Sequence, residues 1–214
     1  MIEAHPTGAD DERAERLPPL SPRTLSEAQR EVYDAITSGP RAADPPVFRA
    51  VDDDGRLLGP FNAMLYSPAV GLPLQDLGEA LRFRTGFTGR EREIAVLTVA
   101  AHWRSDYEWY AHERVGRRAG LTDAEADALR RGDDPVLADA RERVVHAVAH
   151  DLVAHGDLGD ALYAEASATL GRAALVELVT LVGHYGALAL QMRVFRVGVP
   201  AGEPAPRWRE RSTP

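Results

Sequence analysis

The segment TGREREIAVLTVAAHW, residues 88–103, constrains the fold more than any other part of the chain. Thr88 and Glu91 have the spacing of a capping box, which starts a helix. The ten residues after Glu93 are apolar apart from Thr98 and His102. A helix that is apolar almost all round has no face for solvent and must be enclosed by other elements. With 214 residues the chain is long enough to enclose it within one domain. No stretch sustains an alternation of apolar and polar residues, so the enclosing elements are expected to be helices as well. The fold class is therefore all-α.

Local signals place the remaining helices. Ser26 with Gln29 opens one that runs to about Ser38, and a short one covers Asn62 to Tyr66. Pro68 suits a first helical position, with its helix running to about Arg84. Further helices are expected from about Ser105 to Ala119, from Thr122 to Arg131, over Pro135–Ala154, over Gly159–Leu170 and over Arg172–Phe195. The stretch 44–60 is irregular, with Pro45-Pro46 and Asp54-Gly55 as turns. Residues 1–24 read as a flexible N-terminal extension, 25–199 as the helical domain and 200–214 as a proline-bearing tail. Trp208 is unusual in such a tail, and a ring docked against another subunit is the expectation.

Charge and composition narrow the function. A net charge of −8 argues against nucleic acid or an anionic membrane surface as partner. The absence of cysteine removes disulfides, thiolate metal sites, cysteine nucleophiles and dithiol redox chemistry. The first residues lack the apolar core of a secretory signal, and no run was read as reaching the roughly 18 apolar residues of a membrane span. A cytoplasmic protein is expected, and the wealth of Ala, Arg, Gly and Asp with little Lys suggests a bacterial one. No glycine-rich phosphate loop or nucleophile elbow is present.

The chemistry concentrates around residues 93–112. Glu93 has no capping duty and enters the apolar helix, so its carboxylate needs partners or its pKa rises. The alternative is an acid in the first turn that favours the helix dipole and pairs with an arginine. Ser105, Glu108 and His112 recur at i, i+3 and i+7 and share a stripe of the next helix. At i, i+4, Glu108 can orient the His112 imidazole. Trp109 flanks that stripe, and of Tyr107, Trp109 and Tyr110 at most two can join the same wall. Arg90, Arg92 and Arg104 are alternatives for holding a substrate carboxylate, or all three are solvated.

Other polar groups stand in apolar surroundings. His184 and Tyr185 interrupt the last long helix between Gly183 and Gly186, and Asn62 and Gln191 must find partners; all four are candidate pocket lining. His146 and His150, with Asp151 and His155 near, have partial metal-ligand spacing. They read better as a helix-surface or interface pair, and no metal is expected.

The segments GPFNAMLYSP (59–68), TGREREIAVLTVAAHWRSDYEWYAHERVGRRAGLT (88–122) and LVGHYGALALQMRVFRVGVP (181–200) resemble the carboxymuconolactone decarboxylase family. That resemblance implies an alkylhydroperoxidase-D-like bundle of about seven to nine helices, assembled as a dimer, trimer or hexamer. In the family's peroxidase branch a glutamate precedes a Cys-x-x-Cys-x-x-x-His motif. Glu93 and His112 match the glutamate and the histidine, while Ser105 and Glu108 stand at the cysteine positions. Thiol-dependent peroxide reduction is thus not expected. The resemblance implies instead a cofactor-independent lyase or isomerase acting on a small acidic or lactone-bearing molecule, in aromatic catabolism or as a tailoring step of secondary metabolism. His112 would move the proton, Glu108 would orient it, and Glu93 would be a second acid or base if its pKa is raised. Ser105, Tyr107, Trp109, Arg104, His184, Tyr185, Asn62 and Gln191 would line the substrate pocket. The alternative is a non-catalytic oligomeric protein that binds a small molecule with the same fold.

Overall fold

The computed structural model describes residues 15–38 and 47–208. Among them lie nine α-helices and no strand. They are α1 (Glu27–Ser38), α2 (Pro60–Tyr66), α3 (Pro68–Phe83), α4 (Gly89–Trp103), α5 (Asp106–Arg118), α6 (Asp123–Arg131), α7 (Ala140–His155), α8 (Asp160–Leu170) and α9 (Arg172–Phe195).

The apolar helix α4 is the centre of the bundle. It packs against α5, α6, α7 and α9, and every residue from Ile94 to Ala100 is buried. The capping boxes at Thr88–Glu91 and Thr122–Glu125 form with both reciprocal hydrogen bonds. Ser26 and Gln29 exchange the equivalent pair ahead of α1. Helix α7 starts five residues later than Pro135 suggested. The Asp139 carboxylate accepts from the Arg141 and Glu142 amides and so nucleates the helix there. Between 133 and 137 the chain carries no helix, with Val136 almost fully exposed.

Helix α9 revises the reading of membrane-span length. By length and composition it is long and apolar enough to cross a membrane, with mean hydropathy 1.6. Here it packs on α4, α7 and α8, and Leu175, Leu178, Leu181 and Leu188 enter the core.

Both chain ends are tied to the bundle where they are described. The Asn62 side chain accepts from the Leu20 amide (3.1 Å) and donates to the carbonyls of Leu17 and Pro18. The Arg16 amide donates to the Phe195 carbonyl at 2.9 Å. Residues 1–14 of the expected flexible extension and 209–214 of the tail lie outside the described residues. The Trp208 ring docks on its own chain, edge-on to Trp109 at 5.6 Å with its Nε1 donating to Asp106 at 2.6 Å.

Candidate active site

Helices α2, α3, α5 and α9 meet around a cavity of about 40 Å³. Phe61 and Met64 of α2, Gln75 and Arg82 of α3, and Tyr107, Glu108 and His112 of α5 contribute walls. His184, Tyr185 and Leu188 of α9 close it. The arc of α5 that faces inward is 107, 108, 111 and 112, the i, i+1, i+4, i+5 pattern of one helix side. Gly59 makes this packing possible. Its φ of +62° is one that side chains rarely adopt, and a Cβ there would lie 2.1 Å from the Tyr107 ring.

His112 is held from behind by Glu93. Its Nδ1 lies 2.6 Å from a Glu93 oxygen, and Arg92 Nε donates to the other oxygen at 3.1 Å. Glu93 is fully buried. Burial alone would push its pKa up, yet His112, Arg92 and Arg82 outweigh burial and hold it below the usual carboxylate range. Of the two outcomes open to it, partners or a raised pKa, Glu93 has the partners, and the expected division of roles is corrected: Glu93, an anion, orients the imidazole. With Nδ1 so engaged, Nε2 is the ring nitrogen left for a ligand in the cavity. The Tyr185 ring stands edge-on to the imidazole at 4.9 Å.

Glu108 is the other half of the correction. It does not orient His112; its carboxyl is buried at the cavity wall without a hydrogen-bond partner among the described residues. Burial drives its pKa well above the ordinary value, and the nearby Ser105 hydroxyl offsets this only in part, short of hydrogen-bond geometry. Burial thus favours the protonated form of Glu108, a carboxylic acid with a proton to give. The raised acid is thus on α5, one turn before His112, and the paired anion is on α4.

The remaining expectations divide by location. Tyr107, His184 and Tyr185 line the cavity. The Tyr107 hydroxyl donates to the Arg49 carbonyl at 2.6 Å, and burial, with Tyr110 beside it, raises its pKa. Ser105 is buried at the start of α5, next to Glu108 rather than in the wall. Trp109 faces away from the cavity toward Trp208, because it sits about 100° further round α5 than Glu108. Arg104 lies on other surfaces, lining a separate cavity of about 260 Å³ with His102, His146 and His150. Asn62 is spent on the N-terminal segment, and Gln191 is part-buried on α9 outside the cavity lining. Of the other arginines, Arg90 is committed to Glu142 and Glu125 at 2.7 and 2.9 Å.

His146 is buried, and that burial lowers its pKa; His150 is its ring neighbour at 6.1 Å. No group of three or more metal-ligating side chains that could hold an ion occurs among the described residues.

Two residues at the cavity carried no sequence signal. Gln75 is 1% exposed, and neither amide atom has a partner among the described residues. Arg82 is part-buried, and its guanidinium makes no hydrogen bond or ion pair among the described residues; it rests against Phe83. A polar residue in the middle of α3 reads as solvent-facing until the helix is placed. A buried amide with four unmet hydrogen-bonding positions calls for partners, and those of Gln75 face the cavity lining rather than solvent.

Residues 68–151 match the model of the carboxymuconolactone decarboxylase family. The match covers less than half of the chain, and over that segment the chain is similar to this family. The matched segment runs from the start of α3 into α7 and includes Gln75, Arg82, Glu93, Glu108 and His112. No curated protein sequence matches significantly. Among solved structures the fold is similar to an alkylhydroperoxidase AhpD core, an uncharacterized peroxidase-related protein from Ralstonia eutropha JMP134. The TM-score is 0.67 at 17% identity over 92% of this chain and 95% of that one. It is also similar to a cysteine-to-alanine variant of the debrominase Bmp8 in complex with 2,3,4-tribromopyrrole. There the TM-score is 0.65 at 12% identity, over 88% of this chain and 94% of that one. At these identities the two structures speak for the fold, which is alkylhydroperoxidase-D-like.

Proposed function

We propose that this protein, like the carboxymuconolactone decarboxylase family it resembles, is a cofactor-independent lyase or isomerase that moves protons on a small acidic or lactone-bearing organic molecule. One observation carries the reading: two buried carboxyl groups flank His112 in opposite protonation states. Paired groups whose environments drive their pKa values apart are suited to serve as base and acid in one reaction.

In the forward direction His112 Nε2, backed by the Glu93 anion, takes a proton from a carbon next to a carbonyl. The electron pair moves onto the carbonyl oxygen as an enolate, which the Glu108 O–H and the Gln75 amide are placed to stabilise. Return of the proton to a different carbon completes an isomerisation. In a decarboxylation the carbon–carbon bond breaks instead, its electron pair enters the same conjugated system as CO₂ leaves, and Glu108 or the imidazolium protonates carbon. The Arg82 guanidinium is the cation available for a substrate carboxylate. The debrominase structure holds a small bromopyrrole; here a ring of that size would meet Phe61, Tyr107 and Tyr185. Peroxide reduction through thiols has no support, since the chain has no cysteine.

Homo-oligomeric assembly belongs to the same proposal. Val176, Val179, Leu190 and Val194 are exposed along one side of α9, an apolar stripe suited to a second copy.

The test is a panel of unsaturated acids, β-keto acids and lactones assayed for CO₂ release or double-bond migration. His112→Ala is expected to lower kcat by about 10²–10⁴-fold. Turnover that survives this change undiminished sinks the reading. Saturable binding of panel members without turnover would replace it with the non-catalytic binding protein.

A further inference from the structure

A second, larger chamber adjoins the first. It measures about 680 Å³ and shares Phe48, Phe61 and Arg82 with the inner cavity. Among the described residues five arginines line it, Arg49, Arg82, Arg92, Arg114 and Arg118, against a single carboxylate, Glu203. The rest of its wall includes apolar side chains such as Ile36, Val51 and Val115. The inner cavity has room for a compact reactive head only, whereas the outer one has the size of an ordinary small-molecule site.

The chain itself shows what the arginine wall recognises. Arg114 lies flat over the Tyr110 ring at 4.0 Å and donates to the Glu203 carboxylate at 2.8 Å. The Tyr110 hydroxyl donates to the other Glu203 oxygen at 3.4 Å. Glu203 comes from the C-terminal tail, which Trp208 pins onto α5 through Asp106 and Trp109. Stacking on Tyr110 fixes the guanidinium fork, and a fixed fork suits carboxylate or phosphate oxygens. Of the other arginines, Arg49 pairs with the exposed Asp53 and Arg92 with Glu93, while Arg82 acts on Glu93 through space without an ion-pair contact among the described residues.

We infer that the outer chamber binds the multiply charged anionic body of a substrate whose reactive head enters the inner cavity. Glu203 occupies one anion position in the ligand-free protein. The inference rests on the inner cavity being the reaction site, but binding at the outer chamber is measurable without any reaction. The recognised chemistry is an organic anion with at least two negative charges, carried as phosphate or as carboxylate groups.

The experiment is calorimetric titration of the full chain with pyrophosphate and with citrate at low and high salt. Saturable, salt-sensitive binding is expected, stronger for pyrophosphate if the body is phosphorylated and for citrate if it is a polycarboxylate. The double variant Arg114→Gln/Arg118→Gln is expected to weaken it by at least about tenfold. Glu203→Gln removes the internal competitor and is expected to tighten it about threefold or more, a gain that misfolding cannot mimic. Absence of binding at millimolar anion overturns the inference, as does binding that neither variant changes. Anion binding without turnover of any acid or lactone leaves this inference standing and removes the lyase reading. Turnover without anion binding does the reverse.

Discussion

Glu93 and Glu108 make an instructive pair. Both are buried, and both sit beside His112, one behind the imidazole and one a helical turn before it. Their surroundings differ only in partners. Around Glu93 the side chains of Arg92, Arg82 and His112 converge, two of them in direct contact, and it stays an anion. Glu108 has only Ser105 nearby to offset burial and no hydrogen-bond partner among the described residues, and its protonated form is favoured. Burial therefore does not decide the charge of a carboxyl group. It enlarges whatever its neighbours impose, because the same loss of water that penalises an unpaired anion strengthens its attraction to a nearby cation.

The largest test of that contrast is Glu93→Ala. It leaves Arg92 and His112 facing a buried gap and is expected to cost about 3–5 kcal/mol in urea unfolding. A loss comparable to that of an exposed ion pair would show that the two cations have other support. Next comes Glu108→Gln, whose effect depends on pH. A carboxyl raised in the folded state contributes stability fully present below its unfolded pKa and lost as pH rises through the folded one. The glutamine variant lacks that loss, so relative to wild type it should gain on the order of 1 kcal/mol or more as pH climbs above the ordinary carboxylate range. Denaturation curves at stepped pH read this directly, and parallel curves for the two proteins would mean that Glu108 is ionised.

Arg82→Gln should act more weakly and in the acid range. Glu93 is lowered in the folded state, so its contribution is present above the unfolded carboxylate pKa and lost as pH falls through the folded value. Removing Arg82 raises that folded value, and the acid unfolding midpoint should move to higher pH with a stability change below about 1 kcal/mol. An unmoved midpoint would leave His112 and Arg92 as the whole of the cationic field. Smallest of all, Ser105→Ala should change stability by less than about 1 kcal/mol while pushing the Glu108 pKa further up. Carboxyl NMR of Glu108 checks the direction.

Much of the bundle was readable before any coordinates. Thr88 and Thr122 announce their helices through side-chain hydrogen bonds that close within four residues, so the sequence nearby contains the cause. The exception, α7, fails for a related reason: Pro135 and Asp139 both permit a start, and the carboxylate that caps two amides wins. At the site, Glu93, Glu108 and His112 were legible as one constellation, with Glu108 as the expected partner of His112. The partner of each carboxylate was not, since an i, i+4 spacing between Glu108 and His112 says that they can meet and not that they do.

Sequence alone determined the all-helical class, the central position of α4, and the concentration of acid and base groups on α4 and the first half of α5. These follow from periodicity, capping and the cost of exposing an apolar helix, all of which act locally or on average. Only the tertiary structure decided which carboxylate would be charged, that Tyr107 and not Trp109 faces the cavity, and that Gln75, Arg82 and Glu203 reach the chambers from α3 and the tail. Those outcomes depend on the rotation of each helix about its axis against its neighbours. That rotation is chosen by packing across the whole bundle, and no short stretch of chain contains it.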